Sequence, residues 1–335
     1  MKVCIVGAGA IGGYMAVRIA NAGHNVSVIA RGPHLAAIKD RGMKLIEEND
    51  EFVAENLTAT EFVGELGPMD VVLLALKAHQ IVLIVNDMSV LLGPNTVIVT
   101  LQNGIPWWYF QNFAGDYANR VVETVDPGGL LFNSIDPDRL IGCIAYPAAT
   151  ISKPGVIQHI EGNRFPVGEL SGMKTERVQM VSDLFAESGF KSRIIDDIRS
   201  EIWLKLWGNL TFNPISALTH STLVDICQFP LTRQLVATMM TEAQTVGERL
   251  GAHFRIPMEK RIAGAESVGK HKTSMLQDVE AGKPIEIESM LGAVIELAEV
   301  TGVQTPTLRA IYACVSLLDK TLSQEKIIIK GISKE

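Results

Sequence analysis

Lys205, Asn209 and Asn213 are spaced i, i+4 and i+8 within Glu201-Ile202-Trp203-Leu204-Lys205-Leu206-Trp207-Gly208-Asn209-Leu210-Thr211-Phe212-Asn213-Pro214. On a helix that spacing makes one polar stripe. Its neighbours Trp203, Leu204, Leu206, Trp207, Leu210 and Phe212 are bulky and apolar. An ammonium in such company is costly unless it is partnered, and desolvation makes a lysine a better proton donor near neutral pH. The plainer reading is a solvated stripe with a snorkelling lysine. Two asparagines, poor helix formers, argue against it. Pro214 removes a helical hydrogen bond and would set Asn213 at a kink.

Two further segments hold polar groups where a core would not choose them. Asn103, in Leu101-Gln102-Asn103-Gly104, follows an apolar strand and could donate and accept toward a ligand, or simply form an Asn-Gly turn. Ser274 stands in Thr273-Ser274-Met275-Leu276-Gln277-Asp278, and Glu286 in Lys283-Pro284-Ile285-Glu286-Ile287-Glu288. A serine hydroxyl suits a substrate carboxylate. Glu286 beside a helix start is favoured by the dipole and could pair with Lys205, or serve only as a first-turn residue.

A cofactor class is written at the start of the chain. Gly7-Ala8-Gly9-Ala10-Ile11-Gly12 follows the apolar run Val3-Cys4-Ile5-Val6. A helical stretch from Ile11 to Ala22, Gly23 and the strand Val26-Ser27-Val28-Ile29 come next. This is the context a dinucleotide-binding turn requires. The first glycine allows the tight turn, the second lets backbone approach a pyrophosphate, and the third lets helix pack on strand. NAD-preferring sites put a carboxylate at the end of the second strand. Here that strand ends Ala30-Arg31-Gly32. A cation suits a 2′-phosphate, so NADP(H) is expected. Lys77 would lie along the same cofactor edge.

The elements that must position these residues fall into two textures. Strands are predicted at 2–6, 26–30, 43–47, 52–59, 70–76 and 96–101, with helices at 10–22, 33–41 and 79–92. That alternation implies a mostly parallel sheet. From 120 to 169, strand-like runs with Pro and Gly turns suggest an antiparallel extension, followed by a helix at 174–188 and a strand at 190–195. Amphipathic stretches at 199–219, 230–250, 258–279, 286–301 and 306–320 follow, and a last strand-like run spans Lys326 to Lys330. The expected fold is an α/β N-terminal domain over 1–197 and an all-α C-terminal domain over 198–335. The active site is expected in the cleft between them, beyond the carboxyl ends of the strands.

Composition excludes several classes. Of 335 residues, 47% are hydrophobic and 20% charged, and 30 basic against 37 acidic residues leave a net charge of −7. This argues against nucleic acid as a partner. Cys4, Cys143, Cys227 and Cys314 stand apart, with no metal-ligand spacing or disulfide pattern, so no metal is expected and the cytoplasm is the expected compartment. The apolar run before Gly7 is too short for a signal peptide, and Val71 to Leu76 is far too short for a membrane span.

The chain resembles the ketopantoate reductase (2-dehydropantoate 2-reductase) family. The likeness rests on the GAGAIG turn with Arg31, Leu76-Lys77-Ala78 and Gln102-Asn103-Gly104. It rests also on the Lys205/Asn209/Asn213 stripe, Ser-Met-Leu-Gln-Asp at 274–278, and Ile285-Glu286-Ile287. The resemblance implies a Rossmann-type NADP-binding domain with a helical substrate domain. It implies NADPH-dependent reduction of ketopantoate to (R)-pantoate, in pantothenate and coenzyme A synthesis. By position it makes Lys205 the proton donor, and Asn209, Asn213 and Ser274 substrate contacts. Asn103 is shared between cofactor and substrate. Glu286 orients the site and touches the cofactor, and Ala149 is a backbone contact to NADP. Gly7, Ala8, Gly9, Ala10, Ile11, Gly12, Arg31 and Lys77 complete the expected cofactor set. A homodimer is compatible with these features. Leu223 stands where the best-known members have a further asparagine, and the chain between Asn103 and Ala149 is longer, carrying Trp107-Trp108-Tyr109-Phe110. If those aromatics wall the cleft, a bulkier 2-oxo acid yielding a D-2-hydroxy acid becomes the alternative substrate. A non-catalytic NADP-binding sensor is the alternative of another class.

Overall fold

The computed structural model describes residues 1–48 and 50–325, so the strand-like run at 326–330 lies outside the described residues. The chain divides into two compact units. The first holds Met1–Gln102, Trp107–Val121 and Gly128–Ile198; the second holds Asn103–Pro106, Val122–Pro127 and the chain from Arg199 on. Two short excursions thus leave the α/β part of the chain and belong with the helical part, which a single boundary near 197 does not describe.

The first unit begins β1 (Lys2–Val6), α1 (Ala10–Asn21), β2 (Asn25–Ile29), α2 (Gly32–Arg41), β3 (Met43–Glu47), β4 (Asp50–Ala54), β5 (Thr58–Thr60), β6 (Met69–Leu74), α3 (Ala78–Ile81) and β7 (Leu92–Thr100). It continues with α4 (Leu130–Ser134), β8 (Leu140–Cys143), β9 (Ala148–Lys153), β10 (Val156–Glu161), β11 (Val167–Glu169) and α5 (Glu176–Glu187). A seven-stranded sheet runs β11-β8-β7-β6-β1-β2-β5. Its pairs are parallel except β11 against β8. Val3, Cys4, Ile5 and Val6 are all fully buried. Continuous rather than alternating apolarity is what a parallel strand covered on both faces requires.

The run from 120 to 169 divides differently from expectation. Before β8 it is turns and short helices, and β8 pairs in parallel with β7, so β11 alone is the antiparallel extension. Strands β9 and β10 instead join β3 and β4 in a second sheet, ordered β4-β3-β10-β9. That sheet closes on α1: a Cβ on Gly13 would stand 2.6 Å from Ile157 Cδ1. The strand expected over 52–59 is two strands in two sheets. The helix expected over 79–92 stops at Ile81, followed by turns and a 3₁₀ segment at Met88–Leu91. The run Ile81-Val82-Leu83-Ile84-Val85 is apolar on every face and rich in β-branched side chains that crowd a helix. At 190–195 only isolated bridges form, Arg164 with Lys191 and Val167 with Ile194.

The helical part comprises α6 (Ile198–Thr219), α7 (Leu223–Gln228), α8 (Pro230–Arg249), α9 (Met258–Ser267), α10 (Ser274–Glu280), a π-turn (Glu288–Gly292), α11 (Ala293–Thr301) and α12 (Pro306–Glu325). The stretch expected as one helix over 258–279 breaks where Gly269 turns to φ +79°. The stretch over 286–301 becomes helical only at Glu288, and its first turn is π, with the Gly292 amide bonded to the Ile287 carbonyl at 3.2 Å. Helix α7 was not foreseen. Among the described residues no helix is long and apolar enough to cross a membrane, and no group of three or more His, Cys, Asp or Glu could hold a metal ion.

Candidate active site

In the first unit, the three glycines of the turn do three different jobs. Gly7 sits at φ +106°, and a Cβ there would stand 2.8 Å from Leu76 Cδ2. A Cβ on Gly12 would strike the Gly7 carbonyl oxygen. Gly9 is the opposite case: its Cβ would meet nothing within 4 Å. Gly9 also caps α1 without a side chain of its own to occupy the N–H groups of the first turn. Open space before the amino end of a helix fits a pyrophosphate. The Ala8 amide donates to the Ile29 carbonyl at 3.0 Å, tying the turn to the end of β2.

Arg31 comes two residues after that strand end, exposed, as the cap of α2. Lys77 caps α3, its amide donating to Gln80 Oε1 at 3.2 Å. Ala149 is half-buried in β9, an edge strand of the second sheet.

Two residues of this unit were missed from sequence. Gln102 Nε2 donates to the Leu74 carbonyl at 2.6 Å and the Leu76 carbonyl at 3.1 Å, clasping the end of β6 from the end of β7. His34 Nδ1 accepts from the Gly155 amide at 3.0 Å, joining α2 to the β9–β10 turn. Burial lowers the pKa of His34, partly offset by a hydrogen bond with the Ala8 backbone. A glutamine just before Asn-Gly at a strand end was the only signal for the first. Nothing local pointed to the second.

The aromatic segment packs within this unit. Trp107, Trp108, Tyr109 and Phe110 are all buried, and Trp108 Nε1 donates to Thr100 Oγ1 at 3.1 Å. Tyr109, Phe110, Phe113 and Tyr117 form one ring cluster.

The second unit holds the Lys205/Asn209/Asn213 stripe, Ser274 and Glu286. Lys205 Nζ donates to Asn103 Oδ1 at 2.6 Å, joining residues far apart in the chain. From Ser200 to Ala217, α6 is buried at every position but two, Lys205 and Asn209, which are half-buried. A helix buried nearly all round lies in a core, so these two side chains mark where that core opens. Asn213, the third of the stripe, is buried. The helix continues through Pro214 to Thr219.

Ser274 is exposed at the first position of α10, just after Thr273, whose hydroxyl accepts from the Leu276 amide at 3.3 Å. Glu286 is half-buried, two residues before the π-turn. Leu223 opens α7, its amide donating to the His271 carbonyl at 3.0 Å. One ionic residue of α6 was missed: Glu201, buried and paired with Arg255 at 2.5 Å, one turn before Lys205.

Two family models match the chain. "Ketopantoate reductase PanE/ApbA" matches residues 3–172, and "Ketopantoate reductase PanE/ApbA C terminal" matches 197–319. The chain belongs to the ketopantoate reductase family. A 2-dehydropantoate 2-reductase of Mesorhizobium japonicum is 49% identical over 319 residues, covering 95% of this chain and 98% of its own. Among solved structures, a candidate ketopantoate reductase of Ralstonia solanacearum MolK2 superposes with TM-score 0.91 at 35% identity, covering 96% of this chain and 98% of its own. A D-mandelate dehydrogenase solved with NADH and anilino(oxo)acetate has TM-score 0.83 at 22% identity, covering 96% and 99%. That likeness is one of fold. In this ketopantoate reductase family member the glycine turn and the Lys205–Asn103 pair lie in different units.

Proposed function

We propose that the protein reduces 2-dehydropantoate (ketopantoate) to (R)-pantoate with NADPH. The observation that carries this is the Lys205–Asn103 pair: an ammonium held at 2.6 Å by an amide oxygen at an opening of an otherwise buried helix. Gly7, Ala8, Gly9, Ala10, Ile11 and Gly12 would hold the pyrophosphate, and the exposed Arg31 guanidinium the 2′-phosphate. Lys77 and Ala149 would complete the contacts within the first unit, and Asn103 and Glu286 are assigned to the cofactor on the family pattern alone. Bound there, NADPH supplies a hydride to the substrate's C2 carbonyl carbon.

The chain's own residues do the rest. Lys205 delivers a proton from Nζ to the carbonyl oxygen as it becomes an alkoxide, and its charge stabilises that oxygen. Asn103 Oδ1 takes one N–H of the ammonium and so aims the others. Asn209, Asn213 and Ser274 bind the substrate, and Glu286 orients the site. The aromatics that would favour a bulkier 2-oxo acid pack inside the first unit, which supports the smaller substrate. Cytoplasmic location and a homodimer belong to the same reading.

The test is an absorbance assay of a 2-oxo acid panel with NADPH and NADH in parallel. Ketopantoate with NADPH is expected to give the highest kcat/KM. Faster turnover of an aromatic or branched 2-oxo acid would overturn the substrate. NADPH binding without turnover of any 2-oxo acid would favour a sensor.

A further inference from the structure

We infer that the π-turn Glu288–Gly292 is the positioning element for the Lys205–Asn103 pair, acting through the close approach of Gly104 to Ser289. This rests on the reading of Lys205 as proton donor.

Asn103–Pro106 is one of two short excursions that pack with the helical unit. What holds it there is backbone. The Ile105 amide donates to the Ser289 carbonyl at 2.7 Å. Between them, Gly104 turns at φ +87°, and a Cβ on it would strike the Ser289 carbonyl oxygen and stand 2.5 Å from the carbonyl carbon. A side chain is therefore excluded twice, by conformation and by an immovable backbone neighbour. Asn103 is thus held one residue from a rigid seat, and its Oδ1 meets Lys205.

The seat is π-helical rather than α-helical. The wider turn bonds the Gly292 amide to the Ile287 carbonyl at 3.2 Å. Such a turn re-aims the carbonyls of the residues it contains, and π-turns occur often at functional sites. It is braced from behind. Tyr312 Oη donates to the Glu288 carboxylate at 2.9 Å. A Cβ on Gly292 would stand 2.5 Å from Glu288 Oε2 and 2.8 Å from Thr124 Cγ2. Thr124 lies in the other excursion, whose amides at Glu123 and Thr124 donate to the Glu296 carboxylate at 2.9 and 2.7 Å. Both excursions are thus fastened to one stretch of chain, 288–296, which begins two residues after Glu286. The seat and the asparagine loop form one assembly.

A double-mutant cycle tests this in the full-length protein. Gly104→Ala should lower kcat about 100-fold, the scale set by a misplacement of about 1 Å in a reacting group, and should weaken NADPH far less, since Asn103 is only one of several proposed cofactor contacts. In an Asn103→Ala background the same substitution should cost nothing further, because the loop then carries no group to misplace. Gly292→Val, whose branched side chain must press on Thr124 as well as on the flexible Glu288 side chain, should repeat that pattern and covers the case in which Gly104→Ala does not fold. Full additivity with Asn103→Ala, or an unchanged kcat in both glycine variants, would overturn the inference. Lys205→Ala, run in the same series, separates the two readings: turnover that survives it removes the proton-donor reading itself, whereas its loss together with additive glycine effects removes only the role of the π-turn.

Discussion

A lysine is informative when the side chains around it leave it nowhere ordinary to go. Lys205 is such a residue, half-buried on a helix closed almost everywhere else, its ammonium on Asn103. Lys205→Ala should lower kcat by about 10² to 10⁴, the usual range for a general acid, while leaving the NADPH dissociation constant nearly unchanged. Rapid-mixing turnover with titration of NADPH fluorescence measures both, and a kcat within a few-fold of the parent would refute the role. Arg31 argues at the same scale: it is exposed where a 2′-phosphate would lie. Arg31→Ala should weaken NADPH at least about tenfold, about 1.4 kcal/mol, and NADH much less. Equal losses would remove Arg31 from the phosphate site. Both readings were open from the sequence because their signals are local, a stripe at helical spacing and a cation at a strand end. The Asn103 contact was not, since nothing within either segment encodes the other. Gln102, His34 and Glu201 were hidden for the same reason: each acts on a partner remote in the chain.

At the scale of elements, the misread segments share a physical cause. Periodicity reports which face is buried, not which sheet or turn does the burying. The run over 52–59 is apolar because two strands enter two sheets, and the stretch from 286 is apolar because it is packed as a π-turn before it becomes α11. The tie between α2 and the β9–β10 turn has a consequence for stability. Burial disfavours the His34 imidazolium and holds its folded pKa below the ordinary 6.5, a hydrogen bond with the Ala8 backbone partly opposing it, while Nδ1 keeps its lone pair to accept from Gly155. Below pH 6.5 the unfolded chain therefore binds a proton the folded one refuses. Stability falls as pH drops from about 6.5 toward the lowered folded value and levels off beneath it. His24, also lowered chiefly by burial, adds to the same trend, so the comparison must be with a variant. His34→Asn keeps an acceptor in place of Nδ1 but cannot titrate. Its Tm, followed by circular dichroism between pH 7.5 and 5.5, should fall less than that of the parent. Parallel curves would mean that His34 contributes nothing to the acid sensitivity.

For the molecule as a whole, the division into an α/β and a helical part followed from texture, but the two excursions that cross it did not, because each is too short to carry a pattern of its own. The cysteines offer a way to watch the parts separately. Cys4, in the interior strand β1, is pushed up by burial to about 12, and Cys227, on α7, chiefly by burial to about 11. Cys143 is also buried, and Cys314 alone is exposed. A thiol must ionise to react, so burial acts twice, on access and on charge. An aromatic disulfide reagent at pH 8 should therefore titrate Cys314 at once and the other three only as the structure opens, with all four reacting after denaturation. Cys4 and Cys143 report opening of the first unit and Cys227 of the second, since such openings are local as well as global. If the glycine turn holds NADPH, the cofactor at 100 times its dissociation constant should slow labelling of Cys4 about 100-fold, because the opened unit cannot bind it. Peptide mapping of the labelled thiols distinguishes the sites. Rapid labelling of Cys4 without cofactor would contradict its burial in the interior of the sheet, and a rate indifferent to NADPH would mean that the turn at Gly7–Gly12 is not where the cofactor's binding energy is gained.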